Sequence, residues 1–230
     1  MNSKITEIFS SIQGEGKYIG KRQVFIRFSG CNINCNYCDT LDSKNTNEGT
    51  YYSIDELNDK ILSLMSPDFH SLEITGGEPL LHAPYIKEFL SKYNYKSMLE
   101  TNASMPNNLK LLKDVIDIVS MDIKLPEHFD SIDEWVDVYT SELKSVEIAE
   151  EEKMEYYIKI VVSPTTPSDV IERIMEDLSN ISSDVTIILQ PMSPIELWAD
   201  KSNLFKLSEL VAKYYDVSII PQMHKYLGVN

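Results

Sequence analysis

GCNINCNYCDT, residues 30–40, holds all three cysteines of the 230-residue chain: Cys31, Cys35 and Cys38. The C-x-x-x-C-x-x-C spacing lets three thiolates close on one face of an iron-sulfur cube and leaves the fourth iron without a protein ligand. Ferredoxin-type carriers supply four cysteines, so this chain completes a cluster with a different ligand or binds something else. A zinc site would need a fourth ligand and usually carries paired C-x-x-C or His ligands. The histidines here, His70, His82, His128 and His224, are all distant in sequence. Three inert buried thiols would have no reason to gather on one Gly- and Asn-rich loop. An open iron can be chelated by the amino and carboxylate groups of S-adenosylmethionine, which sets its sulfonium beside the cluster for one-electron reduction.

Working outward, QVFIRFSG (residues 23–30) alternates Val24, Ile26 and Phe28 with Gln23, Phe25 and Arg27. That period predicts a first barrel strand delivering the chain into the cysteine loop. Arg27 is then a cation one strand-step from the cluster, or simply an Arg exposed on a strand. Residues 5–9 predict a short strand, followed by SSIQGEGKYIGKR, whose glycines permit a sharp turn or close approach to a ligand. Ser53 with Glu56 forms a capping-box pattern, and Ile54, Leu57, Ile61 and Leu64 recur at helical spacing, so residues 53–65 read as an amphipathic helix. SLEIT (71–75) reads as a strand running into Gly76-Gly77-Glu78-Pro79, with a helix through Tyr85, Ile86, Phe89 and Leu90. A Gly-Gly turn at a strand's carboxyl end lets the backbone approach a ligand, and Glu78 offers an acceptor for an ammonium.

KSMLE, IDIVSMDIK, EYYIKIVVSP, DVTIILQPM and VSIIPQ repeat the pattern, short apolar runs mostly separated by helix-period segments. One helix starts with Pro167 at its first position and buries Ile171, Ile174, Met175 and Leu178. Asp200 can cap the last, whose stripe is Leu204, Leu207, Val211 and Tyr214. The acidic stretch 130–155 reads as a solvated helical face rather than a site. The expected fold is α/β: a single domain, 1–230, forming a partial TIM-like (β/α) barrel of about six parallel strands with ligand groups at their carboxyl ends. A net charge of −15 argues against a nucleic-acid partner, which needs a basic footprint. No apolar run reaches transmembrane length and the N-terminus lacks a secretion signal, so the expected setting is the reducing cytoplasm, away from membranes.

The cysteine spacing with Tyr37 before the last cysteine, and GGEP after a strand, resembles the radical S-adenosylmethionine superfamily. EIFSSIQGEG, the CDT after the last cysteine, ETNAS at 100–104, LQPM and PQMHK resemble, within it, the 7-carboxy-7-deazaguanine synthase family over nearly the whole chain. That resemblance implies a homodimer that converts 6-carboxy-5,6,7,8-tetrahydropterin to 7-carboxy-7-deazaguanine with loss of ammonia, on the way to queuosine or archaeosine. It implies a 4Fe-4S cluster on Cys31, Cys35 and Cys38, magnesium on Thr40, and an external one-electron donor such as flavodoxin or ferredoxin. S-adenosylmethionine contacts fall on Tyr37, Cys38, Asp39, Gly76, Gly77, Glu78, Asn102, Gln190, Pro191 and Met192. Substrate contacts fall on Ile12, Gln13, Gly14, Glu15, Arg27, Thr75 and His224. Thr40 could instead merely cap its loop.

Met121-Asp122-Ile123-Lys124 departs from the Ser-Pro-Lys of many family members and is closer to the D-x-K of glycyl-radical activating enzymes. Asp122 and Lys124 are implied cofactor contacts on either reading. An activating enzyme acts on a protein backbone, needs an open groove, and would leave SIQGEG unexplained. A non-enzymatic iron-sulfur redox or sensor protein is the other alternative, and GGEP disfavours it.

Overall fold

Short runs rich in Val, Ile and Leu bury both faces only when paired side by side in parallel with helices laid across one of them. The computed structural model, which describes residues 1–38, 41–45 and 47–229, has this arrangement. Its strands are Asn2–Ile12 (β1), Arg22–Phe28 (β2), Thr50–Ser53 (β3), Phe69–Gly76 (β4), Ser97–Thr101 (β5), Ile118–Asp122 (β6), Tyr156–Val162 (β7), Ile187–Pro191 (β8) and Val217–Ile219 (β9). They form one sheet in the order β3-β1-β2-β4-β5-β6-β7-β8-β9. All pairs from β2 to β9 are parallel, and β1 runs antiparallel to β2 and β3. The helices are Leu41–Lys44 (α1), Ile54–Leu64 (α2), Ala83–Tyr93 (α3), Pro106–Leu112 (α4), Ile132–Glu151 (α5), Ser168–Ser179 (α6), Ser202–Val211 (α7) and Met223–Leu227 (α8).

The two-residue period of a strand divides the sheet into unlike faces. Val24, Ile26, Leu72, Ile74, Leu99, Val119, Ile158, Ile160 and Leu189 join one large core with Leu57 and Ile61 of α2, Ile86 and Phe89 of α3, Leu109 of α4, Ile171 of α6 and Leu207 of α7. The opposite parity makes a separate small plug, Met98, Ile118, Tyr157 and Ile188, with Tyr18 and Ile220 against it. Further along the same parity the strands turn polar: Arg27 lies opposite Thr75, Glu100 opposite Ser120, Asp122 opposite Lys159, and Val161 opposite Gln190. The plug fills the bottom of the inner face and leaves its carboxyl end for chemistry.

Several expectations need adjusting. The parallel run contains seven strands rather than about six, because β9 adds an edge. The first strand extends over Asn2–Ile12, far beyond residues 5–9, since its antiparallel pairing to β2 runs from Ile5 to Ile12. Pro167 is the N-cap of α6 and not its first residue. Asp200 stands one place before the N-cap of α7 and still accepts from the Ser202 N–H at 2.8 Å. Tyr214 lies past the end of α7. The acidic stretch does form a helix, α5, but it buries Trp135, Val138, Tyr139 and the carboxylate of Glu142, so it is not merely solvated.

At α2 the capping box is complete: the Ser53 hydroxyl accepts from the Glu56 N–H at 3.3 Å, and the Glu56 carboxylate accepts from the Ser53 N–H at 2.8 Å. Ser53→Ala removes one of these caps and should lower unfolding free energy by about 1 kcal/mol, read from the denaturant midpoint at unchanged m-value.

Candidate active site

The carboxyl ends of β2, β4, β5, β6, β7 and β8 surround a cavity of about 260 Å³. The cysteine loop contributes Cys31, Cys35, Tyr37 and Cys38, and the turn after β1 contributes Ile12, Gln13, Gly14 and Glu15. Arg27, Thr75, Gly76, Gly77 and Asn102 line it from β2, β4 and the end of β5. Asp122, Lys124, Gln190, Met192 and His224 complete the set of expected residues that it gathers. Asp39 and Thr40 lie outside the described residues.

Glu78 and Pro191 do not line the cavity; both are buried beneath its surface. The Glu78 carboxylate, expected to receive a ligand ammonium, is already spent on the protein. It accepts from the Leu80 N–H at 2.9 Å, the Thr101 hydroxyl at 2.7 Å and the Asn102 N–H at 2.8 Å. Its work is to tie the GGEP turn to the end of β5. Burial pushes this carboxyl up to about 7, against those three hydrogen bonds.

The turn is also clamped to the start of the cysteine loop. Gly77 N–H donates to the Phe28 carbonyl at 3.2 Å and Glu78 N–H to the Gly30 carbonyl at 2.8 Å. Gly76 sits at φ +146°, and a Cβ there would stand 2.2 Å from the Phe28 carbonyl oxygen, so only glycine lets the two segments meet. Asn102 donates to Asn32 at 3.1 Å, and Asn36 N–H donates to the His128 carbonyl at 3.1 Å, fixing the loop from two further sides. In the sequence, His128 enters only as one of the histidines too distant to complete a zinc site. Its ring lies 4.3 Å from that of Tyr37, and burial holds its imidazole down at about 3, hence neutral.

The thiols suit a cluster. None of the three forms a disulfide, and they share the cavity wall. Burial pushes the Cys31 and Cys35 thiols up, while Lys124 pulls Cys35 back down, so these sulfurs give up their protons when a metal cation compensates. Three thiols on one wall of a cavity are a donor set suited to a polynuclear cluster, in which each thiolate takes its own iron.

Two buried lysines dominate the electrostatics. Lys124 donates to Asp122 at 2.7 Å and to the Tyr37 hydroxyl at 2.8 Å. Its backbone N–H points at the buried Glu142 carboxylate, 3.1 Å away, and its carbonyl accepts from the Trp135 indole at 2.9 Å. Lys159 pairs with Glu15 at 2.8 Å, with Asp122 at 3.3 Å and with Glu100. Burial alone would push the Asp122 carboxyl up, but Lys124 and Lys159 outweigh it and hold the group below its ordinary range. Lys159, Glu100 and Glu142 were not singled out from sequence. The available signal was a lysine at inward parity within the otherwise apolar YYIKIVV strand.

The remaining wall is less charged. Phe9 and Phe25 stack with centroids 4.9 Å apart, and Arg27 beside them donates to Glu7 at 2.8 Å. The Thr75 hydroxyl stands 3.5 Å from Glu100. Met223 N–H donates to the Gly14 carbonyl at 2.8 Å, and a Cβ on Gly14 would lie 2.2 Å from His224 Nδ1. The C-terminal helix therefore rests directly on the Gln13–Gly14–Glu15 turn.

This site belongs to a chain whose residues 25–178 match the radical SAM superfamily model, and the fold agrees: QueE from Escherichia coli superimposes with a TM-score of 0.63 at 22% identity, covering 95% of this chain and 94% of that one. Streptococcus suis SuiB bound to S-adenosylmethionine superimposes at 0.61 with 15% identity, over 85% of this chain and 51% of its own. Full-length relatives narrow the class. The chain is 40% identical to 7-carboxy-7-deazaguanine synthase from Methanothermobacter thermautotrophicus over 100% of its length and 99% of the relative's. It is 36% identical to the synthase of Methanocaldococcus jannaschii, over 98% of this chain and 99% of the other. The protein is a member of the 7-carboxy-7-deazaguanine synthase family.

The raised Glu78 carboxyl has a testable sign. Between its unfolded value and about 7 the folded protein holds a proton that the unfolded chain has lost, so this group's contribution to stability falls as pH rises through that window. Glu78→Gln should remove that decline from the stability profile measured by denaturant unfolding. It should also lower overall stability by about 1–3 kcal/mol, because an amide N–H now faces a backbone donor.

Proposed function

We propose that the protein converts 6-carboxy-5,6,7,8-tetrahydropterin to 7-carboxy-7-deazaguanine with release of ammonia, as a radical S-adenosylmethionine carbon-nitrogen lyase in queuosine or archaeosine biosynthesis. The observation that carries this reading is that the three-cysteine loop and the SIQGEG turn, separate in sequence, line one cavity. Cys31, Cys35 and Cys38 would hold a 4Fe-4S cluster, with S-adenosylmethionine on its open iron. Bound there, the pair supplies one-electron cleavage to methionine and a deoxyadenosyl radical.

The chain's own residues bind, orient and shield. Tyr37, held by Lys124 and backed by His128, offers an aromatic wall next to the cysteines. Gly76, Gly77 and Asn102 would offer backbone and amide groups to the cofactor, and Gln190 and Met192, which line the same cavity, would bound its space. Arg27, with a planar guanidinium suited to bidentate pairing, would take the substrate carboxylate. The Gln13 turn, Thr75 and His224 would read the ring edge. Thr40 is our proposed magnesium ligand, a hard oxygen donor for an ion that keeps waters or substrate oxygens for its other positions. We further propose a cytoplasmic homodimer fed by a flavodoxin or ferredoxin.

The activating-enzyme alternative shares the fold: a domain of pyruvate-formate lyase-activating enzyme from Bacteroides vulgatus superimposes at a TM-score of 0.52 with 18% identity, covering 65% of this chain and 98% of that one. What speaks against it is the SIQGEG turn, which that reading leaves without a role and which here lines the cavity, with Met223 N–H of α8 bonded to the Gly14 carbonyl.

Anaerobic reconstitution with iron and sulfide, followed by reductant, S-adenosylmethionine, magnesium and carboxytetrahydropterin, should yield 7-carboxy-7-deazaguanine by mass spectrometry. Deoxyadenosine without that product would refute the substrate assignment. Cys35→Ala should abolish turnover while leaving the circular dichroism spectrum unchanged, and full-rate product from it would refute the cluster.

A further inference from the structure

Lys159 is the most enclosed cation of the site. Its side chain is 5% exposed, and the two glutamates it pairs with are 16% (Glu15) and 24% (Glu100) exposed. All three line the cavity, and the carboxylates are the more exposed members. They come from different elements: Glu15 from the turn after β1, Glu100 from β5, and the third partner, Asp122, from β6. Two of the ammonium's three donors go to Glu15 and Glu100, and Asp122 Oδ1 stands 3.3 Å away as an ion pair. Neutralising one buried lysine needs only one carboxylate. With Lys124 on Asp122, these five groups hold one more carboxylate than ammonium, while Arg27, Lys44 and Lys225 line other parts of the cavity. The carboxylate oxygens of Glu15 and Glu100 suit N–H donors of a ligand placed against them.

Resting on the function proposed above, we infer that Lys159 is a positioning residue that holds the Glu15 and Glu100 carboxylates on the cavity wall as paired acceptors for ring N–H donors of the reduced pterin. The supporting contacts follow the same plan. Glu15 receives Gln222 on its other oxygen at 2.7 Å, and Glu100 has the Thr75 hydroxyl 3.5 Å from its other oxygen. Burial pushes the Glu100 carboxyl up, and Lys159 works against burial and against repulsion from Glu15 and Asp122. Glu73 and Tyr157 also face this cluster, and Arg27 and His224 line the same cavity. Remove the ammonium and Glu100 takes up a proton at higher pH, turning an acceptor into a donor that confronts the ring N–H groups.

The test uses the reconstituted enzyme, with anaerobic equilibrium dialysis of carboxytetrahydropterin beside kinetics. Lys159→Met should raise both Kd and KM by about tenfold or more at neutral pH, with a smaller change in kcat. Its acid limb of kcat/KM should move upward by about one pH unit or more, because the acceptors ionise later. Lys159→Arg, which keeps a cation, should restore most of the affinity. Wild-type Kd and an unmoved acid limb in Lys159→Met would overturn the inference. Should the single variant fold poorly, Lys159→Met with Glu100→Gln removes one charge of each sign. Recovery of wild-type Kd in that double variant shows a purely charge-balancing lysine and sinks the idea, whereas continued weak binding supports it. Wild-type enzyme that makes deazaguanine while these variants bind normally refutes only the positioning role; wild-type enzyme that neither binds nor converts the pterin refutes the function itself.

Discussion

An ammonium removed from water must be met by carboxylates, and two such groups determine how this site is assembled. Lys124 connects the cysteine loop, through Tyr37, to β6, and through its backbone to Glu142 and Trp135 of α5. Lys159 connects β7 to β5, β6 and the turn after β1. Asp122 is shared by both, which makes the two halves of the network interdependent. Breaking such a buried pair costs several kcal/mol because a charge is stranded, so the inner face is strongly specified even where few apolar groups fill it.

The division of labour between faces explains why this fold carries varied chemistry. The outer parity of each strand is taken up by helices and the lower inner parity by the Met98, Ile118, Tyr157 and Ile188 plug. Only the carboxyl-terminal inner positions are free to differ, and those are where Arg27, Thr75, Glu100, Asp122 and Gln190 stand. Likeness in backbone to SuiB or to an activating enzyme therefore carries no substrate information. The residues at those few positions and in the loops beyond them do.

Local features were legible in the sequence. The capping box at Ser53, the apolar stripe of α6 and the cysteine loop each depend on residues within one turn or one loop, so spacing alone exposes them. What escaped depends on partners far away along the chain. Lys159 meets Glu15 across 144 positions and Glu100 across 59, distances at which periodicity says nothing. Glu78 was assigned to a ligand because its donors, Thr101 and Asn102, arrive from the following strand. Glu142 was lost in an acidic run, since composition cannot tell which member of a charged stretch turns inward. The inward lysine in YYIKIVV was the local clue that this apolar strand also bore charge.

Gln222 reaches Glu15 across 207 positions, and His224 closes against Gly14. One wall of the cavity is thus assembled from segments 207 positions apart. Displacing α8 would uncover the Gln13–Gly14–Glu15 turn while leaving untouched the fastenings of the cysteine loop to the Gly76–Gly77 turn, Asn102 and His128, so this wall can loosen without the loop coming undone.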